Sequence, residues 1–359
     1  MIVLSEPEYT LSVWYEQTLA GLKHEARKKR VVLETAGGEK LPGGPVFVIG
    51  SSRAWLKNTV ANACAQGCHP IVLSNQPHRS FSGKYSCVSS DIPLSMRYIL
   101  AMLRQSGKSR IALYGVNGDS ASDASRVQAF ISERGGETFY NEGSLENCFA
   151  GFIKSHSRYP FDAVICANDY AAVSLIRRLK ELQESNFDLS IVSYSNTLLS
   201  ACCTPSLTSV SLNYGAFGKA AFMISECVEK DREITGMNVS VDWRIVFRES
   251  FGRPESEPQT VGTIRPAAVP KAPFYSDGEI GELMSIERLL SRCDKTDINI
   301  LCSMISGQTA EKTAEDCFLA DSALKYRLKK MKENGRAGSK RELFALLSKY
   351  GVKPDRLKT

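Results

Sequence analysis

The apolar positions of this chain keep one rhythm to about residue 250 and another near its end. In the first part, short β-branched runs alternate with stretches whose apolar residues recur every three or four positions. Strands are predicted at Ile2–Leu4, Arg30–Glu34, Pro45–Ile49, Pro70–Leu73, Ser109–Tyr114, Asp162–Cys166 and Leu189–Tyr194. Amphipathic helices are predicted at Trp14–Arg27, Ala54–Gln66, Leu94–Leu103, Ser125–Glu133 and Ala171–Glu184. Strand and helix in alternation predict an α/β fold, with parallel sheets covered by helices on both faces. The strands run out into small or polar residues: Ser5, Ser51 and Ser52, Asn117, Asn168 and Asp169, then Ser195 and Asn196. Loops at the carboxyl ends of parallel strands are where such sheets bind ligands. Asp91 and Asp169 read as helix N-caps.

The second rhythm is all-helical. Between Arg253 and Gly278 there are five prolines and no apolar periodicity, so residues 253–278 are read as a semi-extended linker. Helical spacing returns at Ile280, Leu283, Met284 and Leu290. A helix is predicted over Asp297–Ile305, ending at Ser306-Gly307, where glycine suits a left-handed C-terminus. Thr309 then caps Ala310–Cys317, and a tight connection through Phe318-Leu319-Ala320 leads to a helix over Asp321–Glu333. On that last helix Leu324, Leu328 and Met331 fall on one face, which places Ser322, Lys325, Tyr326, Lys329 and Lys332 on the other.

Charge sharpens this division. Net charge is +6, yet residues 325–358 hold twelve Lys or Arg against three acids, so the remainder is slightly acidic. A basic module on an acidic body fits a nucleic-acid binder, and equally a solvated helix face. Eleven scattered cysteines, an odd number, and an N-terminus without a basic, apolar leader point to free thiols in a reducing cytoplasm. Cys64, Cys68 and His69 are too few for a structural zinc site and read as packing, so no metal or cofactor is expected. No apolar run approaches the ~20 residues of a membrane span. There is no P-loop, G-x-S-x-G or H-E-x-x-H, and the histidines at 24, 69, 78 and 156 share no context, so no catalysis is expected.

The C-terminal pattern resembles the helix-turn-helix of LuxR-type regulators over about sixty residues. Gly307, Thr309, Ala314, Lys325, Leu328, Met331 and the closing Arg341-Glu342-Leu343 carry it. Lys312 and Thr313 replace the usual Glu-Ile, Cys317 takes a leucine position, Ala320 a capping serine, and Arg327 a common histidine. The resemblance implies DNA as a partner, with Lys325 at a base edge. Ser322, Tyr326 and Lys329 would meet base or backbone, and Lys340 and Arg341 phosphates. Because one such helix reads few base pairs, a homodimer on paired half-sites is expected. A three-helix module for oligomerisation or protein docking, on a protein that binds a metabolite without DNA activity, is the alternative.

The first 250 residues resemble the effector-binding core of LacI/GalR repressors, a type I periplasmic-binding-protein fold. Three segments in order carry this: SRVQAF, DAVICANDYAAVSLIRRLKE, and LSIVSYSNTLLSACCTPSLTSVSLNYGAFGKAA. The resemblance implies two lobes, an N-lobe of about 1–95 and 212–240 and a C-lobe of about 96–211 and 241–252, with a sugar or similar polar effector between them. Arg126 and Asn168 match ligand-gripping positions. Ser195, beside Asn196, stands where the family places an aspartate, which admits a less hydroxylated or an anionic ligand. Ser5, Tyr9, Trp14, Tyr15, Ser51 and Arg53 are candidate liners from the other lobe. Two departures stand out: the DNA-binding module follows the core, and the segment between Glu34 and Pro45 is too short for a crossover helix. Together these features predict a ligand-responsive DNA-binding regulator with a helix-turn-helix domain over 279–359.

Overall fold

The computed structural model describes residues 1–37, 40–74, 81–182, 189–231, 233–252 and 277–357. Two six-stranded sheets form its body, and they are wound alike. In the first, β1 (Ile2–Ser5), β2 (Glu34–Ala36), β3 (Gly44–Ile49), β4 (Cys68–Leu73), β5 (Ser86–Ser90) and β11 (Asn238–Val241) lie in the order β11-β5-β4-β3-β1-β2, all parallel. In the second, β6 (Ile111–Val116), β7 (Thr138–Tyr140), β8 (Ala163–Cys166), β9 (Ser190–Tyr194), β10 (Thr208–Leu212) and β12 (Trp243–Val246) lie in the order β12-β10-β9-β8-β6-β7. Only the pairing of β12 with β10 is antiparallel there. The body is a two-lobed α/β fold of the type the alternation predicted, and the chain passes between lobes after β5, after β10 and between β11 and β12.

Helices α1 (Val13–Lys29), α2 (Arg53–Ala65) and α8 (Tyr214–Lys230) cover the first sheet. Helices α3 (Ile92–Gln105), α4 (Ala121–Ser132), α5 (Leu145–Arg158), α6 (Asp169–Glu181) and α7 (Leu198–Cys202) cover the second. Helices α1 and α8 cross where each has a glycine. A Cβ on Gly21 would lie 2.4 Å from the Tyr214 carbonyl oxygen, and one on Gly218 would lie 2.3 Å from the Gly21 backbone. No alanine fits that crossing without moving a helix.

The predicted strands are present, but the second is displaced from Arg30–Glu34 to Glu34–Ala36. The helix before it runs on through Lys29 and stops only where Arg30 turns left-handed, at φ 56°. The end of the predicted helix at residues 183–184, the linker at 253–276 and His78 lie outside the described residues. Asp91 caps α3, accepting from the Leu94 N–H at 2.9 Å. At α6 the expectation fails: Asn168 is the cap, accepting from the Ala171 N–H. Asp169, fully buried, instead receives the Ser193, Ser209 and Thr197 hydroxyls and the Thr197 N–H, tying β9, β10 and α7 together. The cysteines are free; Cys68 is buried, Cys64 half-buried, and His69 shares a hydrogen bond with Ser86.

Among the described residues the tail holds five α-helices, α9 (Gly278–Ser291), α10 (Lys295–Ile305), α11 (Ala310–Asp316), α12 (Asp321–Asn334) and α13 (Lys340–Lys349), and a closing 3-10 turn at Pro354–Leu357. Thr309 caps α11, and Gly307 takes the left-handed position after α10 at φ 85°. The unit is not loosely tethered. Ile280, Leu283, Leu289, Leu301, Leu324, Leu328 and Leu347 share one continuous core with α5, α6 and α7 of the second lobe. Three carboxylates of the α9 segment anchor it. Asp277 accepts from the Leu145 N–H at 2.7 Å; Glu279 meets Ser174, Arg177 and Arg178; Glu287, 1% exposed, accepts the Leu198 and Leu199 N–H groups at the start of α7.

Candidate ligand cleft and basic helix face

Strand order reverses between β1 and β3 in the first lobe and between β6 and β8 in the second, and open parallel sheets leave a crevice at such points. The two crevices face each other and enclose about 70 Å³, room for a few water molecules or a compact metabolite. The first lobe and its crossover supply Tyr9, Trp14, Thr18, Ser51, Ser74, Tyr214 and Phe217; the second supplies Asn117, Ser120, Ser122, Asp123, Arg126, Asn168 and Ser195. One rim is latched by backbone hydrogen bonds between lobes, from the Arg53 N–H to the Asp119 carbonyl and from the Ala121 N–H to the Ser51 carbonyl, both 2.9 Å. Glu6 holds that loop of the first lobe by accepting the Ser51 and Ser52 N–H groups.

Of the sequence candidates, Tyr9, Trp14, Ser51, Arg126, Asn168 and Ser195 line this cavity. The others do not. Tyr15 turns into the first-lobe core and shares a 3.0 Å hydrogen bond with Ser5, so both are spent on structure. Arg53 serves the latch through its backbone. The Asn196 side chain donates to Ser211 and accepts from Arg248, which pins the turn after β9. These four do not line the cavity, because position at a strand end (Ser5, Asn196) or on a helix (Tyr15 of α1, Arg53 of α2) does not say which way a side chain points.

Arg126 carries the cleft's electrostatics. It lies on α4, 6% exposed, paired with Asp123 one turn earlier and stacked over the Tyr194 ring at 4.4 Å. Burial raises the Asp123 carboxyl above its usual range against the pull of Arg126. Burial likewise raises the hydroxyls of Tyr9 and Tyr214, which stay protonated and able to donate. Among the described residues, the lining carries one positive and one negative formal charge, Arg126 and Asp123, already joined. Sequence reasoning missed Asp123, although its i, i+3 spacing to Arg126 on a helix was a usable signal.

The backbone at Ser195 is strained, with φ 111°, and Asn196 follows at φ 48°. Two consecutive non-glycine residues at positive φ are costly, on the order of 1–3 kcal/mol each, and they sit where β9 meets the cavity. Trp14 also lines the cavity. Its ring packs against Tyr170 of α6 with centroids 5.4 Å apart, and its buried Nε1 has no hydrogen-bond partner.

The second candidate surface lies on the helical unit. Leu324, Leu328 and Met331 are buried, whereas Ser322, Lys325, Tyr326 and Lys329 are exposed on α12, as are Lys340 and Arg341 at the start of α13. Tyr326 is 67% exposed. Lys325 and Lys340 both act on Glu311 at the start of α11, helping to hold its carboxyl below the usual range after its local hydrogen bonds. Arg327 faces inward and bridges Asp294 and Asp297 of the α10 capping box, a structural pairing. Sequence reasoning passed over Phe318, which projects from the α11–α12 turn at φ 54° and is 96% exposed.

Residues 100–251 match the family described as periplasmic binding protein-like domain. The two-lobed body has that fold. A LacI family transcriptional regulator from Enterococcus faecium, solved with bound ribose, is similar with a TM-score of 0.55 and 18% identity, covering 70% of this chain and 98% of that one. The transcriptional regulator CelR in complex with cellobiose gives a TM-score of 0.57 and 18% identity, covering 69% of this chain and 84% of that one. Among curated proteins, an HTH-type transcriptional regulator from Lachnoclostridium phytofermentans is 35% identical over 71 residues. That match spans 20% of this chain and about a fifth (21%) of the relative's length. Among the described residues, no helix is long and apolar enough to cross a membrane.

Proposed function

We propose that the chain is a cytoplasmic transcriptional regulator that binds a compact, uncharged polar metabolite between its lobes and DNA through α11–α12. The observation that carries this reading is the division of labour on α12: its leucines complete a core shared with the body, while Lys325, Tyr326 and Lys329 are exposed. Such a helix can enter a major groove, with Lys325 at a base edge, Ser322, Tyr326 and Lys329 on base or backbone, and Lys340 and Arg341 on phosphates. A homodimer on paired half-sites is the working unit, because one helix contacts few base pairs.

The closed charge balance of Asp123 and Arg126, the two protonated tyrosines and the Trp14 ring suit a hydroxylated, uncharged ligand such as a sugar; structures of similar fold were solved with ribose and cellobiose. The function needs no catalytic step. Residues 1–252 form the ligand-binding body and 279–359 the DNA-binding domain; the expected linker of 253–278 is shortened to 253–276, because Asp277 and Gly278 already belong to the α9 segment. The experiment is a selection of bound duplexes from a random pool, followed by titration at two salt concentrations. Replacing Lys325 and Lys329 with Ala should abolish sequence preference, through Lys325, and flatten the salt dependence by about one phosphate contact, through Lys329. Unchanged binding in that double variant refutes the assignment of α12.

A further inference from the structure

Helix α9 has three neighbours at once. Glu279 and Glu287 fix it to the second lobe. Its C-terminal end meets the first lobe, where Arg288 donates to the Leu11 carbonyl at 3.4 Å and Arg292, just past the helix, pairs with Glu16 at 3.3 Å. The same Arg292 guanidinium donates to Asn334, the last residue of α12, at 3.1 Å. In the sequence Leu11 and Glu16 stand on either side of Trp14, which lines the cavity. Any movement of the first lobe against the second must therefore slide the tip of α1 across an arginine that also holds the end of α12.

We propose that Arg292, seated between Glu16 of α1 and Asn334 of α12, is the contact through which the arrangement of the two lobes sets the placement of the DNA-facing helix. The inference rests on the proposed function for its consequence at DNA, and on the contacts alone for the coupling. With the lobes closed, Arg292 holds both partners. With the lobes apart, Glu16 withdraws and the arginine retains Asn334 alone, so the α12 end loses one restraint. Both partners of the ion pair are substantially exposed, at 49% and 36%, so the coupling is modest. A two- to five-fold change in the exchange or binding equilibrium of α12 is the expected scale.

The test uses the full chain and forces the lobes apart without a ligand, by Ser122→Trp in the cavity wall, with Leu212→Trp as a second wedge should the first fail to fold. Amide hydrogen exchange is followed over residues 9–16 and 331–338 in each wedge, in Arg292→Gln, in Glu16→Gln, and in wedge plus Arg292→Gln. The expected result is two- to five-fold faster exchange in both segments for the wedge. In the Arg292→Gln background the wedge should speed residues 9–16 but add nothing at 331–338. Equal wedge effects at 331–338 with and without Arg292 overturn the inference, as does a wedge that loosens residues 9–16 and leaves 331–338 unchanged. A mixed-sequence 30-base-pair duplex, titrated at low salt with the same variants, separates the two readings. If no form binds duplex, the proposed function fails, and the exchange data still decide the coupling.

Discussion

Replacing Glu287 with alanine tests how the helical unit is held to the body. The carboxylate is buried and accepts two N–H groups, from Leu198 at 3.0 Å and Leu199 at 2.8 Å. Alanine orphans both. A buried donor left without a partner costs about 1–3 kcal/mol, so the gross loss is about 2–6 kcal/mol. A second effect opposes it. Burial, aided by Asp169 and Glu16, pushes the Glu287 pKa from 4.5 to about 7, against the pull of the two N–H groups. A carboxyl whose pKa is raised on folding adds stability at low pH that fades as pH rises through the folded value. Between pH 8 and pH 6 the folded chain takes up most of a proton at Glu287 while the unfolded chain takes up almost none, so the wild type gains about 1 kcal/mol. Glu287→Ala lacks that gain. Exchange of the α7 and α9 amides at both pH values, corrected for intrinsic rates, reads the docking free energy. The variant should be destabilised at both, by about 1 kcal/mol more at pH 6 than at pH 8. An equal deficit at the two pH values refutes the titration of Glu287, and a deficit below about 0.5 kcal/mol refutes its anchoring role.

Other outcomes follow from the cleft and the core. Arg126→Ala leaves Asp123 buried without its counter-charge, so chemical denaturation should show a loss of about 3–5 kcal/mol, and adding Asp123→Asn should recover much of it. That double variant should still fold yet show no thermal shift across a panel of uncharged metabolites, whereas retention of the shift would remove Arg126 from the ligand site. Ser195→Gly relieves φ 111° and should raise the melting temperature, while Ser195→Val should lower it; the reverse order contradicts the strain. Gly218→Ala forces a Cβ into the Gly21 backbone and should cost about 1–3 kcal/mol in urea denaturation, against near-neutral Gly281→Ala, whose Cβ meets nothing within 4 Å.

Sequence by itself determined the alternation of strand and helix, the helical tail and the buried face of α12, because each depends on local periodicity and caps. Residues such as Thr309 and Gly307 could be read where they stood. Where local signals are weak it left elements unassigned, the serine-rich β10 and the three-residue β7, and it chose Asp169 over Asn168 as cap. The shared winding of the two sheets left no repeat in the sequence, since topology constrains apolar pattern and not residue identity.

Tertiary structure alone decided the rest. Which strand-end residues face the cavity depends on the register of six strands, so Ser51 enters it while Asn196 turns away. The neutralisation of Arg126 became visible only with its side chain placed. The docking of the tail on the second lobe was not legible either, because Glu279 and Glu287 resemble any solvated helix acids until Arg178 and the α7 amides are brought against them. Contacts between residues a hundred positions apart leave no trace in local pattern; they are set by how whole faces fit when the chain closes on itself.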